Sequence, residues 1–139
     1  MSHQEIILEL FTKELHAVIA TVGENNMPEA AFIGFGHTDD LVGIFGTSNT
    51  SRKYKNIQKN PKVALVIGGW DKPITIQYEG KAVELSGEEK EKFTEIYLAK
   101  IPQVRKFREL PDQRFFKIIP TWIRCTGYSK EEEIFEIKF

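Results

Sequence analysis

The stretch "LVGIFGTSNTSRKYKNIQKNPKVALVI" (residues 41–67) decides the fold prediction. Its beginning, 41–46, is apolar and ends at a glycine, as is typical of a strand. The segment 51–60 predicts one short helix, and Pro61 ends it, because the residue before a proline is disfavoured in the helical conformation. The apolar, β-branched segment 63–67 then predicts a buried strand. The stretch therefore indicates a strand–helix–strand unit.

The same stretch combines hydroxyl groups with positive charge that no acid balances. From residue 41 to residue 70 there is no Asp or Glu, and the cations are Arg52, Lys53, Lys55, Lys59 and Lys62. Hydroxyl side chains lie where the strand ends and the helix begins, at Thr47, Ser48, Thr50 and Ser51. A helix N-terminus presents unpaired N–H groups, and together with hydroxyls and a guanidinium it favours a phosphate. The alternative is a capped helix with a solvated basic face, on which Tyr54 and Ile57 form the packing stripe.

The rest of the chain reads as strands with a few helices. Further strands are predicted over 16–22, 30–36, 74–85, 114–128 and 133–139. Helices are predicted over 3–15, where Ser2 is the candidate N-cap, and over 86–101, where Ser86 and Glu89 have the spacing of a capping box. A second short helical piece lies between Pro102 and Pro111. This pattern predicts a mainly β fold, a small barrel of six to seven mostly antiparallel strands with helices packed outside.

Composition narrows the class of protein. A length of 139 residues predicts one domain over 1–139, and a net charge of −1 gives no overall field for nucleic acid or an anionic membrane. The only cysteine is Cys125, so no internal disulfide forms, and we expect it to be a buried apolar residue. We find no signal peptide and no apolar run long enough for a membrane span, which predicts a cytoplasmic protein.

Several kinds of site are disfavoured by the motifs. No Walker A sequence and no Gly-rich dinucleotide fingerprint is present. The three histidines have no spacing typical of a metal site, so none is predicted. A basic patch for single-stranded nucleic acid is an alternative, although only Tyr54 supplies an aromatic ring among the cations. Alternation along 114–128 places Trp122 on one mixed face with Ile118, Pro120 and Arg124, which suits an interface or a ligand edge.

Taken in order, these features resemble the pyridoxamine 5′-phosphate oxidase-like flavoproteins, which have the FMN-binding split β-barrel fold. The matching positions follow an apolar first strand and run over nearly the whole chain. They are Pro28, Gly46-Thr47, Ser51 with Lys53, Asn60-Pro61, Glu79-Gly80 with Ala82, and Pro120 with Trp122. Each piece is weak alone, whereas their order and spacing together are specific.

The resemblance implies a homodimer with two FMN sites at the interface. It implies that the phosphate is held by Thr47, Ser48, Ser51, Arg52 and Lys53. The flavin ring would lie against the second strand at Ala31, Phe32 and Ile33. The partner subunit would contribute Gln77 and Trp122, with Trp70 nearby. The resemblance stops at Phe139, before the arginine-bearing extension with which pyridoxine phosphate oxidases hold their substrate, so the substrate is left open.

The function expected from the resemblance is that of an FMN-dependent oxidoreductase related to pyridoxamine 5′-phosphate oxidase. Electrons would come from a reduced nicotinamide cofactor, and no catalytic residue is assigned, because the redox chemistry belongs to the flavin. The alternative on the same barrel is a non-catalytic module that binds flavin or haem.

Overall fold

The computed structural model describes residues 1–69, 73–128 and 134–139. These residues form eight strands: β1 (His16–Val22), β2 (Pro28–Gly34), β3 (Gly36–His37), β4 (Gly43–Ser48), β5 (Lys62–Gly68), β6 (Ile74–Glu84), β7 (Gln113–Gly127) and β8 (Phe135–Lys138). Three α-helices accompany them: α1 (His3–Lys13), α2 (Arg52–Lys59) and α3 (Gly87–Lys100). Short 3₁₀ segments span Glu24–Asn26 and Pro102–Phe107. Trp70, which the resemblance placed near the flavin, lies outside the described residues.

The strands form one antiparallel sheet that curls on itself. Its order is β2-β1-β5-β6-β7-β4-β3, and β8 pairs with β7. The two end strands, β2 and β3, are consecutive in the chain and are separated only by Phe35. The sheet must therefore curl until its two ends meet at this residue. Phe35 is fully buried, and its N–H donates to the carbonyl of Leu15 at 2.9 Å. This curled antiparallel sheet with peripheral helices confirms the predicted split barrel.

The predicted elements are found, with shifted ends that have local causes. The predicted strand 30–36 is broken in two, because the chain changes sheet edge at Phe35. The strand predicted over 41–46 begins later, because Leu41 has a φ of +67° and lies in a turn closed by its N–H donating to Thr38 O. Left-handed backbone of this kind cannot continue a strand.

The predicted helix caps differ in outcome. The Ser2 and Ser51 hydroxyls accept hydrogen bonds from the third residue of their helices, as expected. The predicted capping box at Ser86 is wrong, because this side chain makes no cap hydrogen bond. Gly87 follows it with a φ of +61°, which turns the chain away from capping geometry. Glu89, the other half of the predicted box, instead accepts from Lys117 Nζ at 2.6 Å.

The barrel interior is apolar and is organised around one buried hydroxyl. Ile76, Tyr78 and Ala82 of β6 point inward, as the period-two pattern predicts. The Tyr78 hydroxyl lies 2.8 Å from the carbonyl oxygens of both Leu41 and Ile118, and it accepts from the N–H of Gly43 at 3.1 Å. Burial raises the pKa of this phenol well above its ordinary value, so it remains a neutral donor. One side chain thus ties β6 to β4, to β7 and to the turn before β4.

None of the helices in the described part of the chain is both long and apolar enough to cross a membrane.

Replacing Tyr78 by Phe should destabilise the fold. Phe keeps the ring but leaves the Gly43 N–H and two carbonyl oxygens buried without their partner. Each unsatisfied buried group costs about 1–3 kcal/mol, so we expect a loss of at least about 2 kcal/mol in the free energy of unfolding. Urea denaturation followed by circular dichroism measures this loss. Tyr128→Phe is the matched control, since that side chain is exposed. Equal stabilities of the two variants would contradict the structural role of Tyr78.

Candidate functional site

Hydroxyl side chains run from the end of β4 to the N-cap of α2 and are bonded to one another. They are here called the hydroxyl loop (Thr47, Ser48, Thr50 and Ser51). Thr47 Oγ1 and Ser51 Oγ are 2.9 Å apart, and Ser48 Oγ and Thr50 Oγ1 are 2.8 Å apart. Ser51 Oγ also accepts from the N–H of Tyr54 at 3.2 Å. Short hydroxyl side chains bond to nearby backbone in this way where a strand turns into a helix. The loop therefore presents several hydroxyls and the first N–H groups of α2 together.

Asp112 anchors this loop, and the sequence reading missed it. Ser48 Oγ donates to Asp112 Oδ2 at 2.7 Å, and the N–H of Asn49 donates to the Asp112 carbonyl at 2.8 Å. Asp112 immediately precedes β7, whose Gln113 pairs in register with Ser48. Since Ser48 and Asp112 are 64 positions apart in the chain, no local sequence pattern could have linked them.

Beside the hydroxyl loop lies a cavity of about 210 Å³, here called the aromatic slot. Its walls come from β2, β4, α2, α3, β7 and the 3₁₀ segment Pro102–Phe107. They carry the rings of Phe32, Tyr97, Phe107 and Phe115. Two glycines keep it open. A Cβ at Gly34 would lie 2.6 Å from the Tyr97 hydroxyl oxygen, and a Cβ at Gly46 would lie 2.6 Å from Gln113 Nε2. The slot thus combines aromatic rings with the polar groups of Lys53, Tyr97 and Gln113.

Lys53 is the cation of the slot. It is half-buried, and no Asp or Glu among the described residues pairs with it. Burial lowers the pKa of its ammonium group below the ordinary lysine value. A desolvated cation without an acidic partner favours an anion at this position, because the anion would offset the cost of burying the charge.

Arg52, the neighbouring cation, points elsewhere. Consecutive helix residues are about 100° apart around the axis, so adjacent side chains face different directions. Arg52 is 79% exposed and lines a separate polar cleft of about 920 Å³, together with Lys55 and Lys59. Its Nη2 lies 2.6 Å from Glu29 Oε2. The structure therefore does not bring Arg52 and Lys53 to the same cavity.

Glu29 belongs to a small network that the sequence reading also missed. Asn56 Nδ2 donates to Glu29 Oε1 and to Thr21 Oγ1, each at 2.9 Å. Hydrogen bonds from Arg52 and then from Asn56 lower the pKa of the Glu29 carboxyl, so it is ionised. The network joins β1, β2 and α2 beside the hydroxyl loop.

The three residues predicted to contact a flavin ring lie on β2, and they point to different sides of the sheet because side chains alternate along a strand. Ile33 is buried, whereas Phe32 points outward with 60% of its surface exposed. Both line the aromatic slot, since it opens at the end of β2. Ala31 packs partly against the barrel core and is not a lining residue of the slot.

Gln77 and Trp122 lie on the outer face of β6 and β7, away from the slot. Gln77 pairs in register with Arg124 and is exposed. The indole N–H of Trp122 donates to Glu136 Oε2 at 3.2 Å. Neither side chain lines the aromatic slot of its own chain.

The predicted face of Trp122 is wrong. The register of β6 and β7 shifts between Glu79 and Gly80, so that Glu79 pairs with Trp122 and Gly80 with Pro120. This bulge reverses the alternation along β7. Ile118 and Pro120 are buried, whereas Trp122 is half-exposed on the opposite face.

The histidines and Cys125 do not form a second site. Cys125 is fully buried, as predicted, and His16 and His37 lie at strand ends. Within residues 1–69, 73–128 and 134–139, no group of three or more His, Cys, Asp or Glu side chains is arranged to hold a metal ion.

The sequence matches the family described as pyridoxamine 5′-phosphate oxidase over residues 4–127. A curated relative, the pyridoxine/pyridoxamine 5′-phosphate oxidase of Escherichia fergusonii, is 35% identical over 69 residues. That region is 50% of this chain and 32% of the relative. A second such oxidase, from Haemophilus influenzae, is 32% identical over 75 residues, which are 54% of this chain and 36% of the relative. The chain thus aligns with about a third of the length of these relatives.

Solved structures share the fold at low sequence identity. A haem-binding protein from Mycobacterium smegmatis superposes with a TM-score of 0.87 at 15% identity, covering 99% of this chain and 58% of that one. General Stress Protein 26 from Bacillus anthracis superposes with a TM-score of 0.78 at 24% identity, covering 100% of both chains. At these identities the comparison supports the split barrel alone.

Substituting Gly34 by Ala should close the aromatic slot and destabilise the protein. The new methyl would meet the Tyr97 hydroxyl, and this rigid, buried ring has little room to move. Overpacking of this kind costs about 1–3 kcal/mol. Gly43→Ala is the matched control, since a Cβ there would lie 3.4 Å from the Ile118 and Phe35 side chains, an ordinary contact distance, so we expect a smaller loss. Thermal unfolding of both variants gives the comparison, and an equal or larger loss for Gly43→Ala would contradict the close approach of Tyr97 to Gly34.

Proposed function

The chain belongs to the pyridoxamine 5′-phosphate oxidase family, and from this premise we propose that it is a flavoprotein that binds FMN for an oxidoreductase reaction. The proposal covers the cofactor and the class of reaction and leaves the substrate open. We place the protein in the cytoplasm, as the composition suggested, with a reduced nicotinamide cofactor as the electron donor.

The observation that carries the proposal is the position of Lys53. Its half-buried side chain has no acidic partner in the described chain and lines the aromatic slot, and its backbone lies in the first turn of α2, directly after the hydroxyl loop. FMN has a phosphate at one end and a flat aromatic ring at the other. The residues present fit both ends: a cation with hydroxyl donors for the phosphate, and aromatic walls for the ring.

The roles of the chain's own residues follow from this fit. FMN, when bound, supplies the transfer of electrons or hydride. Lys53 and the hydroxyl loop would hold the phosphate, with Ser51 also capping α2. Phe32 and Ile33 would contact the ring, and the aromatic side chains of the slot would shield it from water.

We also propose that the site is completed by a second copy of the chain. The slot holds about 210 Å³, below the roughly 300–1,000 Å³ of typical ligand pockets, so one chain encloses only part of such a ligand. The outer faces of β1, β2 and β5 carry small apolar side chains that suit a packed interface: Val18, Ala20, Ala30, Ala64 and Val66. In the dimer, Gln77 and Trp122 would come from the second copy.

A non-catalytic module is the second candidate, favoured by the likeness to the haem-binding protein of Mycobacterium smegmatis. The visible spectrum of the purified protein separates the cofactors, because flavin and haem absorb at different wavelengths. Anaerobic addition of NADH or NADPH then tests catalysis. Bleaching of a bound flavin supports the oxidoreductase, whereas a flavin that stays oxidised supports the module. A protein that is colourless and binds no FMN in calorimetry would refute the flavoprotein proposal.

Replacing Lys53 by Ala should weaken FMN binding by about 1.5–3 kcal/mol, the usual contribution of a hydrogen bond to a charged group. Lys55→Ala is the matched control, because Lys55 is exposed on the same helix and lines the polar cleft instead. Isothermal titration calorimetry with FMN measures both. Equal affinities for Lys53→Ala and wild type would place the phosphate elsewhere.

FMN affinity should also fall at alkaline pH. Only protonated Lys53 attracts the phosphate, so affinity is full below the pKa of Lys53 and decreases as pH rises through it. Because burial lowers this pKa, the decrease should begin at a lower pH than for an ordinary lysine. Lys53→Arg keeps its charge throughout this range and should lose the pH dependence. A pH profile identical in wild type and Lys53→Arg would exclude Lys53 as the titrating group.

Val66→Glu should convert the dimer to a monomer. Val66 is 43% exposed on the outer face of β5, so the variant should fold, but pairing would bury an unpartnered carboxylate at a cost of about 3 kcal/mol or more. Light scattering measures the mass of each species. Val83→Glu is the matched control, because Val83 is 40% exposed on β6 beyond the stretch that pairs with β5, and it should leave the dimer intact. A monomeric wild type that still binds FMN tightly would contradict the shared site.

A further inference from the structure

We infer that Glu29 sets how strongly this protein distinguishes phosphorylated from unphosphorylated flavins, by holding the Arg52 guanidinium and placing a negative charge beside the phosphate end of the site. This inference rests on the proposed FMN function and extends it to the choice between FMN and riboflavin, which carry the same ring. Glu29 is a positioning residue here, since it acts through Arg52.

The geometry shows that the Arg52 guanidinium is already paired with the Glu29 carboxylate. Its Nη2 lies 2.6 Å from Glu29 Oε2, the length of a strong charge-assisted hydrogen bond. Arg52 follows directly after Ser51, the hydroxyl that caps α2, so its backbone belongs to the phosphate end of the site. Its side chain, however, faces the polar cleft. A phosphate that recruits Arg52 must therefore compete with a carboxylate that is part of the fold.

Glu29 is held in place from a second side. Asn56 donates to Glu29 Oε1 at 2.9 Å with the same nitrogen that donates to the buried Thr21 hydroxyl. The Glu29 side chain is only 19% exposed, whereas that of Arg52 is 79% exposed. The carboxylate is thus held by two partners, whereas Glu29 is the one acidic partner of the guanidinium among the described residues.

The charges near the phosphate end must be counted together. Lys53 lines the slot, the Asp112 carboxylate is bonded to the hydroxyl loop, and Glu29 offsets the charge of Arg52. A phosphate dianion is attracted by Lys53, is repelled by Asp112 and finds Arg52 already paired, whereas a neutral ribityl hydroxyl responds far less to these charges. The preference for FMN over riboflavin should therefore be smaller than if both Arg52 and Lys53 attracted the phosphate. Removing the Glu29 charge should enlarge this preference.

The test compares Glu29→Gln with the wild-type protein for two ligands, FMN and riboflavin, by quenching of flavin fluorescence at low ionic strength. Gln keeps the size of the side chain and an oxygen that accepts from Asn56. We expect Glu29→Gln to bind FMN about three- to tenfold more tightly and riboflavin with unchanged affinity. The gain should shrink in about 0.5 M salt, where charges are strongly screened.

Glu24→Gln is the matched control. Glu24 is an exposed carboxylate that lines the same polar cleft. If general electrostatics governed the preference, Glu24→Gln would reproduce the effect, and we expect it to change neither affinity. Should Glu29→Gln fold poorly, Glu29→Ala provides the same loss of charge with the smallest side chain, and circular dichroism checks both variants.

The outcomes separate the two proposals. Tighter FMN binding with unchanged riboflavin binding supports the role of Glu29. Equal changes for both flavins would show a merely structural effect and overturn it, as would no change for either. A wild-type protein that binds neither flavin would refute the flavoprotein proposal itself, and the inference with it.

Discussion

The backbone passes from one end of the sheet to the other within a single residue, Phe35. Because β2 and β3 stand at opposite ends of the strand order, the sheet has to curl until those ends meet. This closure brings Gly34, at the end of β2, within reach of α3, and it brings β2 close to β4. The aromatic slot lies at that junction, lined by residues of β2 and β4 that are far apart in the strand order. The site is thus a consequence of barrel closure, with the Tyr78 hydroxyl holding the facing strands together from inside.

The short helix α2 divides its cations between two surfaces. Neighbouring residues on a helix diverge by about 100°, so Lys53 reaches the slot while Arg52 reaches the polar cleft. The two residues are adjacent in sequence and opposite in environment: Lys53 is half-buried without an acidic partner in the described chain, and Arg52 is exposed and paired. A count of five cations in one stretch therefore overstates the positive charge available to a single ligand.

Much of the fold could be predicted from the sequence, because it depends on interactions between residues that are close in the chain. The helix stop at Pro61, the Ser51 cap, the buried stripe of Ile57 and the alternation of β6 all depend on neighbours within a few residues, and all are found. The contacts that were missed join distant positions: Ser48 to Asp112, and Glu29 to Asn56. The prediction of the face on which Trp122 lies was wrong for another reason. One extra residue at the bulge reverses the side of the sheet to which every later side chain of β7 points. Such a bulge leaves no mark in the alternation itself.

The hydroxyl loop bears on how affinity would be distributed in the site. Its hydroxyls already bond to one another, to the backbone and to Asp112, so an incoming anion would exchange these bonds instead of satisfying empty donors. Exchange of one hydrogen bond for another contributes little net free energy, as it does in folding. The Lys53 ammonium differs, because its charge is partly desolvated before any ligand arrives. Binding strength should therefore depend on Lys53, while the hydroxyls fix position. Because affinity would come from Lys53 and position from the hydroxyls, substitution of a few residues around this one cation would let the same barrel hold different anionic ligands.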